Sequence, residues 1–141
     1  MIDPSTINKK TSGFTLVEIL VALAVIGIIT AIAIPMYGTY LDRAKLTISI
    51  NTLQSVARAM EEYHADHDNS YPPAIDINTG EDGSGNLVLN SSLLADFKKN
   101  LSSLDSYVTP TTGTYTLTVR AQDKMRTKLT LRPGQPIIQG P

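Results

Sequence analysis

The chain has 141 residues, 42% of them apolar, with 12 basic and 13 acidic side chains and a net charge of −1. That suffices for one domain, and the dispersed charge argues against a nucleic-acid surface, which would show clustered Lys and Arg. There are no cysteines, which excludes disulfides, thiolate metal sites and a cysteine nucleophile.

In chain order, the first element is an apolar run. From Phe14 to Met36, 23 residues, the only ionisable side chain is Glu18. About 20 helical residues cross a typical hydrocarbon core, so the run predicts a membrane-spanning helix. A buried core helix of that length would normally carry a polar stripe, and this one carries none. Lys9 and Lys10 precede the run, and positive charge stays cytoplasmic. The expectation is a cytoplasmic N-terminus with residues 37–141 outside.

Two processing readings compete. A secretory signal peptide would be cut after the run, at Ala31-Ile32-Ala33, leaving Ile34 first. The run is longer than the usual 7–15 apolar residues of such peptides. It also holds Glu18, and an acid at bilayer centre costs about 2.5–3.5 kcal/mol, which a signal peptide has no reason to bear. The other reading cuts between Gly13 and Phe14, in "TSGFTLVE". The new α-amine of Phe14 and the Glu18 carboxylate then lie four residues apart on one helix face. Acids within membranes usually have such a partner.

A short basic leader ending in Gly13, followed by "FTLVEILVALAVIGIITAIAIPMYGTYLDRAK", resembles the N-terminus of type IV pilins and of type II secretion pseudopilins. The resemblance covers residues 8 to 45 closely and the remainder only in layout. It implies a leader, 1–13, removed by a prepilin peptidase, with Phe14 becoming the N-methylated first residue. It implies that Glu18 faces the Phe14 amine of a neighbouring subunit during assembly. Gly27 and Pro35 match positions bracketing a stretch that can lose helical structure in assembled filaments. Both are also common in membrane helices, so either alone would say little.

Beyond the membrane run, Leu46, Ile50, Leu53, Ala57 and Met60 recur at helical spacing, widened by Ile48, Val56 and Tyr63. One helix, with Pro35 a possible kink, is predicted from Phe14 to about residue 67. "DNSYPP", 68–73, stops it. Residues 76–86, "DINTGEDGSGN", form a turn-rich acidic loop, and Leu87 to Leu89 offer a short strand. Leu93, Leu94, Phe97 and Leu101 predict a helix over 91–105 with Ser92 as N-cap. Alternation in "TYTLTVRA", 114–121, and "TKLTLR", 127–132, predicts an antiparallel hairpin. The proline-rich tail reads as irregular or as an edge segment. The Tyr115, Leu117 and Val119 face would bury the Leu46, Ile50 and Leu53 stripe.

Candidate chemistry is sparse. His64 and His67 share a helix face beside Asp66 and Asp68, but no other His or Cys exists to complete a zinc site. Asp76, Asn78, Asp82, Ser84 and Asn86 offer oxygen ligands for calcium. An EF-hand requires Gly at position 6 and Glu at position 12, where this loop has Glu81 and Leu87. Major pseudopilins carry a calcium loop late in the chain, whereas here residues after 107 include one acid, Asp123.

The fold class expected is α+β: a long N-terminal α-helix, half membrane-spanning and half amphipathic, packed on a small antiparallel β-sheet. The expected domains are the leader 1–13, the assembly helix 14–36 and the external domain 37–141. The expected function is that of a non-enzymatic subunit of a type IV pilus-like filament, with a type II secretion pseudopilin as the alternative. A membrane-anchored binding domain that never polymerises is the rival of another class. No catalytic residue, metal or cofactor is expected. Expected partners are identical or related subunits, the prepilin peptidase, an assembly platform and the cytoplasmic membrane. The subunit would reside in the inner membrane before assembly and in a surface or periplasmic filament afterwards.

Overall fold

A computed structural model describes residues 13–111 and 113–140. The expected leader, apart from Gly13, lies outside the described residues, as do Lys9 and Lys10. The elements are α1 (Leu16–Asp66), α2 (Ser91–Asn100), β1 (Leu101–Thr111), β2 (Thr114–Ala121), β3 (Lys128–Leu131) and β4 (Ile138–Gly140). The chain divides between Gly38 and Thr39 into two compact units.

In the first unit α1 passes through Pro35 without ending there. Pro35 has no N–H to give, so the Ala31 carbonyl one turn earlier loses its helical donor. In the second unit the buried side of α1 is Ser49, Thr52, Leu53, Val56, Met60 and Tyr63. This corrects the predicted stripe. Leu46, Ile50 and Ala57 sit half-buried at its flank, and Ile48 is exposed. The reason is a polar pin at the centre of the face. Ser49 is fully buried, and its hydroxyl donates to the Asn100 carbonyl at 2.6 Å and accepts from the Gln122 N–H at 3.2 Å. One hydroxyl thus ties α1 to the end of α2 and to the end of β2, satisfying backbone groups that burial would otherwise strand.

α1 stops after Asp66, where Asp68 and Asn69 adopt left-handed backbone (φ 50° and 56°). Asp and Asn tolerate that conformation better than most side chains. α2 is shorter than expected. Its N-cap is Asn90, not Ser92: the Asn90 Oδ1 accepts from the Leu93 N–H at 2.9 Å. Residues 101–105 belong to β1, because Leu101 and Leu104 mimic helical spacing while pairing with Ala121 and Val119 of β2. Leu87 to Leu89 form no strand of their own. A single bridge joins Leu87 to Glu81, and the N–H groups of Val88 and Leu89 both donate to the Gly80 carbonyl.

The predicted hairpin is present as β2 and β3, with Val119 opposite Leu129 and Leu117 opposite Leu131. The four strands run antiparallel in the order β1-β2-β3-β4, and β4 supplies the edge segment read from the tail. Tyr115, Leu117, Val119 and Ala121 point inward to Leu53, Val56 and Met60, forming one core with Phe97, Leu129 and Leu131. Both sheet edges are blunted: β1 carries Pro110 and three register irregularities, and β4 has three residues. Such edges discourage strand addition by another chain.

Tyrosines fill the upper part of this core. Tyr71 donates to Glu61 at 2.9 Å and Tyr107 to the Pro72 carbonyl at 2.6 Å. Tyr115 packs edge-on against Tyr71 at 4.6 Å, and its buried hydroxyl finds no partner among the described residues. Burial raises the pKa of Tyr63, Tyr107 and Tyr115, and pushes Tyr71 up to about 12. A phenol whose folded pKa is raised contributes stability that is complete below its unfolded value near 10 and is lost as pH rises towards 12. Tyr115→Phe removes an unpaired hydroxyl as well as one of these ionisations. It is expected to stabilise the fold by about 1 kcal/mol or more and to shift alkaline unfolding to higher pH, as read by circular dichroism.

Candidate functional site

The apolar half of α1 starts with a reciprocal cap. Thr15 precedes the first helical residue. Its Oγ1 accepts from the Glu18 N–H at 3.2 Å, while the Thr15 N–H and hydroxyl donate to Glu18 Oε2 at 3.0 and 2.9 Å. This is a capping box, in which Thr at the N-cap and Glu three residues later satisfy one another's backbone donors. The negative side chain also sits at the positive end of the helix dipole. The spacing "TLVE" announces this arrangement, and reading Glu18 only against an incoming amine missed Thr15.

Between Thr15 and Met36 the polar side chains are Thr15, Glu18 and Thr30. Thr30 donates to the Ile26 carbonyl one turn back at 2.7 Å. All three therefore have partners within their own helix. In a hydrocarbon setting that is the condition for a tolerable polar group, since no water is there to substitute. The apolar side chains around them are exposed on every side of the helix, from Phe14 and Leu16 through Ile34 and Met36. The segment is long and apolar enough to cross a membrane. At Gly27 a Cβ would meet nothing, so the missing side chain is not required by packing within this chain. Gly13 and Phe14 precede the helix and the cap, in non-helical backbone.

The second unit holds a different polar centre. Asp82, buried in the 76–86 loop, accepts from the Ser84 and Asn86 N–H groups through Oδ1, each at 2.8 Å. Its Oδ2 accepts from Asn86 Nδ2 at 2.8 Å and from the Tyr63 hydroxyl at 2.5 Å. The Tyr63 bond first, then Asn86, hold this carboxyl far below the usual range. A carboxylate offers about four acceptor positions. All four are taken by this chain's own donors, so Asp82 is a strut that fastens the loop to α1 and has no lone pair left for calcium. His64 and His67 likewise go to separate partners. His67 stacks on Tyr63 at 3.8 Å and donates from Nδ1 to the Tyr63 carbonyl, and His64 stacks on Tyr71 at 4.4 Å.

Residues 8–34 match the family described as "Prokaryotic N-terminal methylation motif". Over 60 residues, 43% of this chain, the sequence is 35% identical to the type IV major pilin protein PilE1 of Neisseria gonorrhoeae, of which it covers 36%. It is 34% identical to type II secretion system core protein G of Pseudomonas aeruginosa, covering 42% of it. It is 39% identical to the fimbrial protein EcpC of Eikenella corrodens, covering 39%. The chain thus aligns with less than half the length of these relatives. No solved structure matches it. Residues 8–34 of this chain thus carry the prokaryotic N-terminal methylation motif, and over 60 residues the chain is similar to type IV pilins and to a type II secretion system core protein.

Proposed function

We propose that the chain is a structural subunit of a type IV pilus-like filament, doing no chemistry of its own. The observation that carries this reading is the apolar helix itself. It is exposed on all sides, internally satisfied at each polar side chain, and opened by the Thr15–Glu18 box directly after Gly13-Phe14. A prepilin peptidase cuts between Gly13 and Phe14, and Phe14 is N-methylated. The subunit waits in the cytoplasmic membrane, residues 37–141 outside. It then leaves lipid as its helix bundles with those of other copies at the surface or in the periplasm. The bundle shields from water the apolar surface that lipid shielded before.

Cleavage places a cationic chain end one residue before the capping threonine. Glu18 Oε2 already holds two Thr15 donors, so its other oxygen is the one available to an amine of the same or a neighbouring copy. Gly27 and Pro35 mark where the helix ladder is weakest, by about 1 kcal/mol at glycine and about 3 at proline. They set the limits of any stretch that lengthens in the filament. The similarity to core protein G supports the second reading, a pseudopilin of a secretion machine.

The test is co-expression of the chain with a prepilin peptidase and an assembly platform, followed by electron microscopy of sheared material. Filaments containing the chain, and none without the peptidase, are expected. A membrane-resident monomer under both conditions would instead indicate an anchored binding domain.

A further inference from the structure

The second unit carries its charges almost wholly unpaired. Among the described residues the one ion pair is Arg120–Asp105 at 2.9 Å, across β1 and β2. The charges that remain are distributed unevenly along α1, and two features stand out at opposite ends of its buried face.

The first is the tip of the β2–β3 hairpin, Lys124-Met125-Arg126. Met125 is 88% exposed, and cations flank it on both sides. The tip is not slack. Asp123 accepts from the Thr127 N–H at 2.8 Å and from its hydroxyl at 2.6 Å, and the Arg126 N–H donates to the Asp123 carbonyl at 3.0 Å. Arg126 itself is held in left-handed backbone, φ 52°. The base of the hairpin is bound to Ser49 of α1 through the Gln122 N–H. A large apolar side chain is therefore presented to solvent on a braced turn between two positive charges.

The second is a cleft of about 160 Å³ near the end of α1. Its apolar walls are Ala59, Leu87 and Val88, and its polar rim is Glu62, Asp66 and the His67 ring. Leu87 is exposed there. The two acids lie in the last two turns of α1, where negative charge opposes the helix dipole. No cation of this chain lies within ion-pair distance of either acid among the described residues. Arg58, the neighbouring cation on α1, does not neutralise them.

We propose that the Lys124-Met125-Arg126 tip of one copy docks in the Glu62/Asp66 cleft of the next. Met125 enters the apolar part against Leu87 and Val88, while Lys124 and Arg126 meet the acidic rim. This deepens the filament reading and rests on it. Tip and cleft cannot be joined within one copy. The hairpin base is at Ser49 and the cleft at Tyr63, 14 residues apart on α1, about 20 Å along a helix. Two different patches that fit each other form a heterologous contact, which gives an open filament when the rotation between copies does not close a ring. Opposite charge steers the encounter and fixes its register.

The chain contains no cysteine, so an engineered pair has no background. Met125→Cys combined with Leu87→Cys in the full chain, assembled by its machinery and treated with oxidant or a short thiol-reactive linker, should give a ladder of linked multimers. Either single variant should give no ladder. Filaments visible by electron microscopy that dissolve to unlinked monomers would overturn the contact while leaving the filament reading intact. Links that stop at dimers, or that join another protein, would also overturn it. If the unaltered chain forms no filaments, the filament reading fails and this contact with it. Should the cysteine pair not assemble, charge reversal decides. Arg126→Glu with Lys124→Glu should lose most filaments, as should Glu62→Lys with Asp66→Lys, and the four changes together should restore them. No restoration would overturn the contact.

Discussion

Changing Glu18 to alanine is expected to abolish filaments while leaving the subunit in the membrane. The two effects can be separated because their energies have opposite signs. The change removes the acceptor for the two Thr15 donors but leaves Thr15 Oγ1 capping the N–H of residue 18, so its cost to the helix is small and confined to the first turn. Removing an acid from an apolar segment favours its residence in hydrocarbon. Membrane residence should therefore be unimpaired, and the second unit, whose core shares no residue with this turn, should melt unchanged. What disappears is the carboxylate that an incoming chain end would meet. Thr15→Ala keeps the charge and the backbone N–H that donates to Oε2, but removes the hydroxyl donor and the Oγ1 that accepts from the Glu18 N–H, so the carboxylate is held less firmly. It is expected to reduce filament number less than Glu18→Ala does, with Thr15→Ser restoring it. Counts from electron microscopy, set against membrane fractionation of the same cells, distinguish these outcomes. Undiminished filaments in Glu18→Ala would mean that the acid is dispensable.

The largest expected loss of stability from a small change is at Gly80. This residue has φ +80°, and a Cβ built there would clash with the Leu89 carbonyl oxygen. That oxygen belongs to backbone, which cannot rotate away as a side chain can. The Gly80 carbonyl accepts the N–H groups of Val88 at 2.9 Å and Leu89 at 2.8 Å, and its own N–H donates to the Asp76 carbonyl at 2.7 Å. These bonds fold the loop back so that Val88 and Leu89 reach the core. Gly80→Ala is expected to cost more than about 2 kcal/mol, combining left-handed strain with the clash. In a unit of this size that lowers the melting temperature by roughly 10 °C or more. Gly85 provides the control. It has φ +87° but nothing near its Cβ position, so Gly85→Ala bears the backbone strain alone and should cost less. Equal losses at the two positions would show that the close approach at Gly80 is unimportant.

The parts of this molecule legible in its sequence are those governed by a period or by an extreme composition. The run from Phe14 to Met36 needs no partner to be recognised, because its apolarity is unbroken but for Glu18. The β2–β3 hairpin shows in strict alternation, since one of its faces is core. The parts that escaped depend on partners distant in the sequence. Ser49 looks like a polar interruption of an apolar stripe. It becomes the centre of that stripe only when Asn100 and Gln122 arrive to bond its hydroxyl. β1 was hidden because Leu101 and Leu104 fit a helix continuing from α2 as well as they fit a twisted, bulged edge strand. Asp82 reads as a solvent-facing loop acid until Tyr63, 19 positions earlier, supplies its donor. At the candidate site, Glu18 stood out through charge alone. Thr15 is legible too, as the other half of a T-x-x-E box.

The central claim concerns where this chain is cut and what then faces Glu18. Intact mass and N-terminal sequencing of the protein extracted from membranes of cells containing a prepilin peptidase address it directly. The mature chain is expected to start at Phe14, its amine methylated. A chain that begins at Met1, or at Ile34 after the Ala31-Ile32-Ala33 stretch, contradicts it.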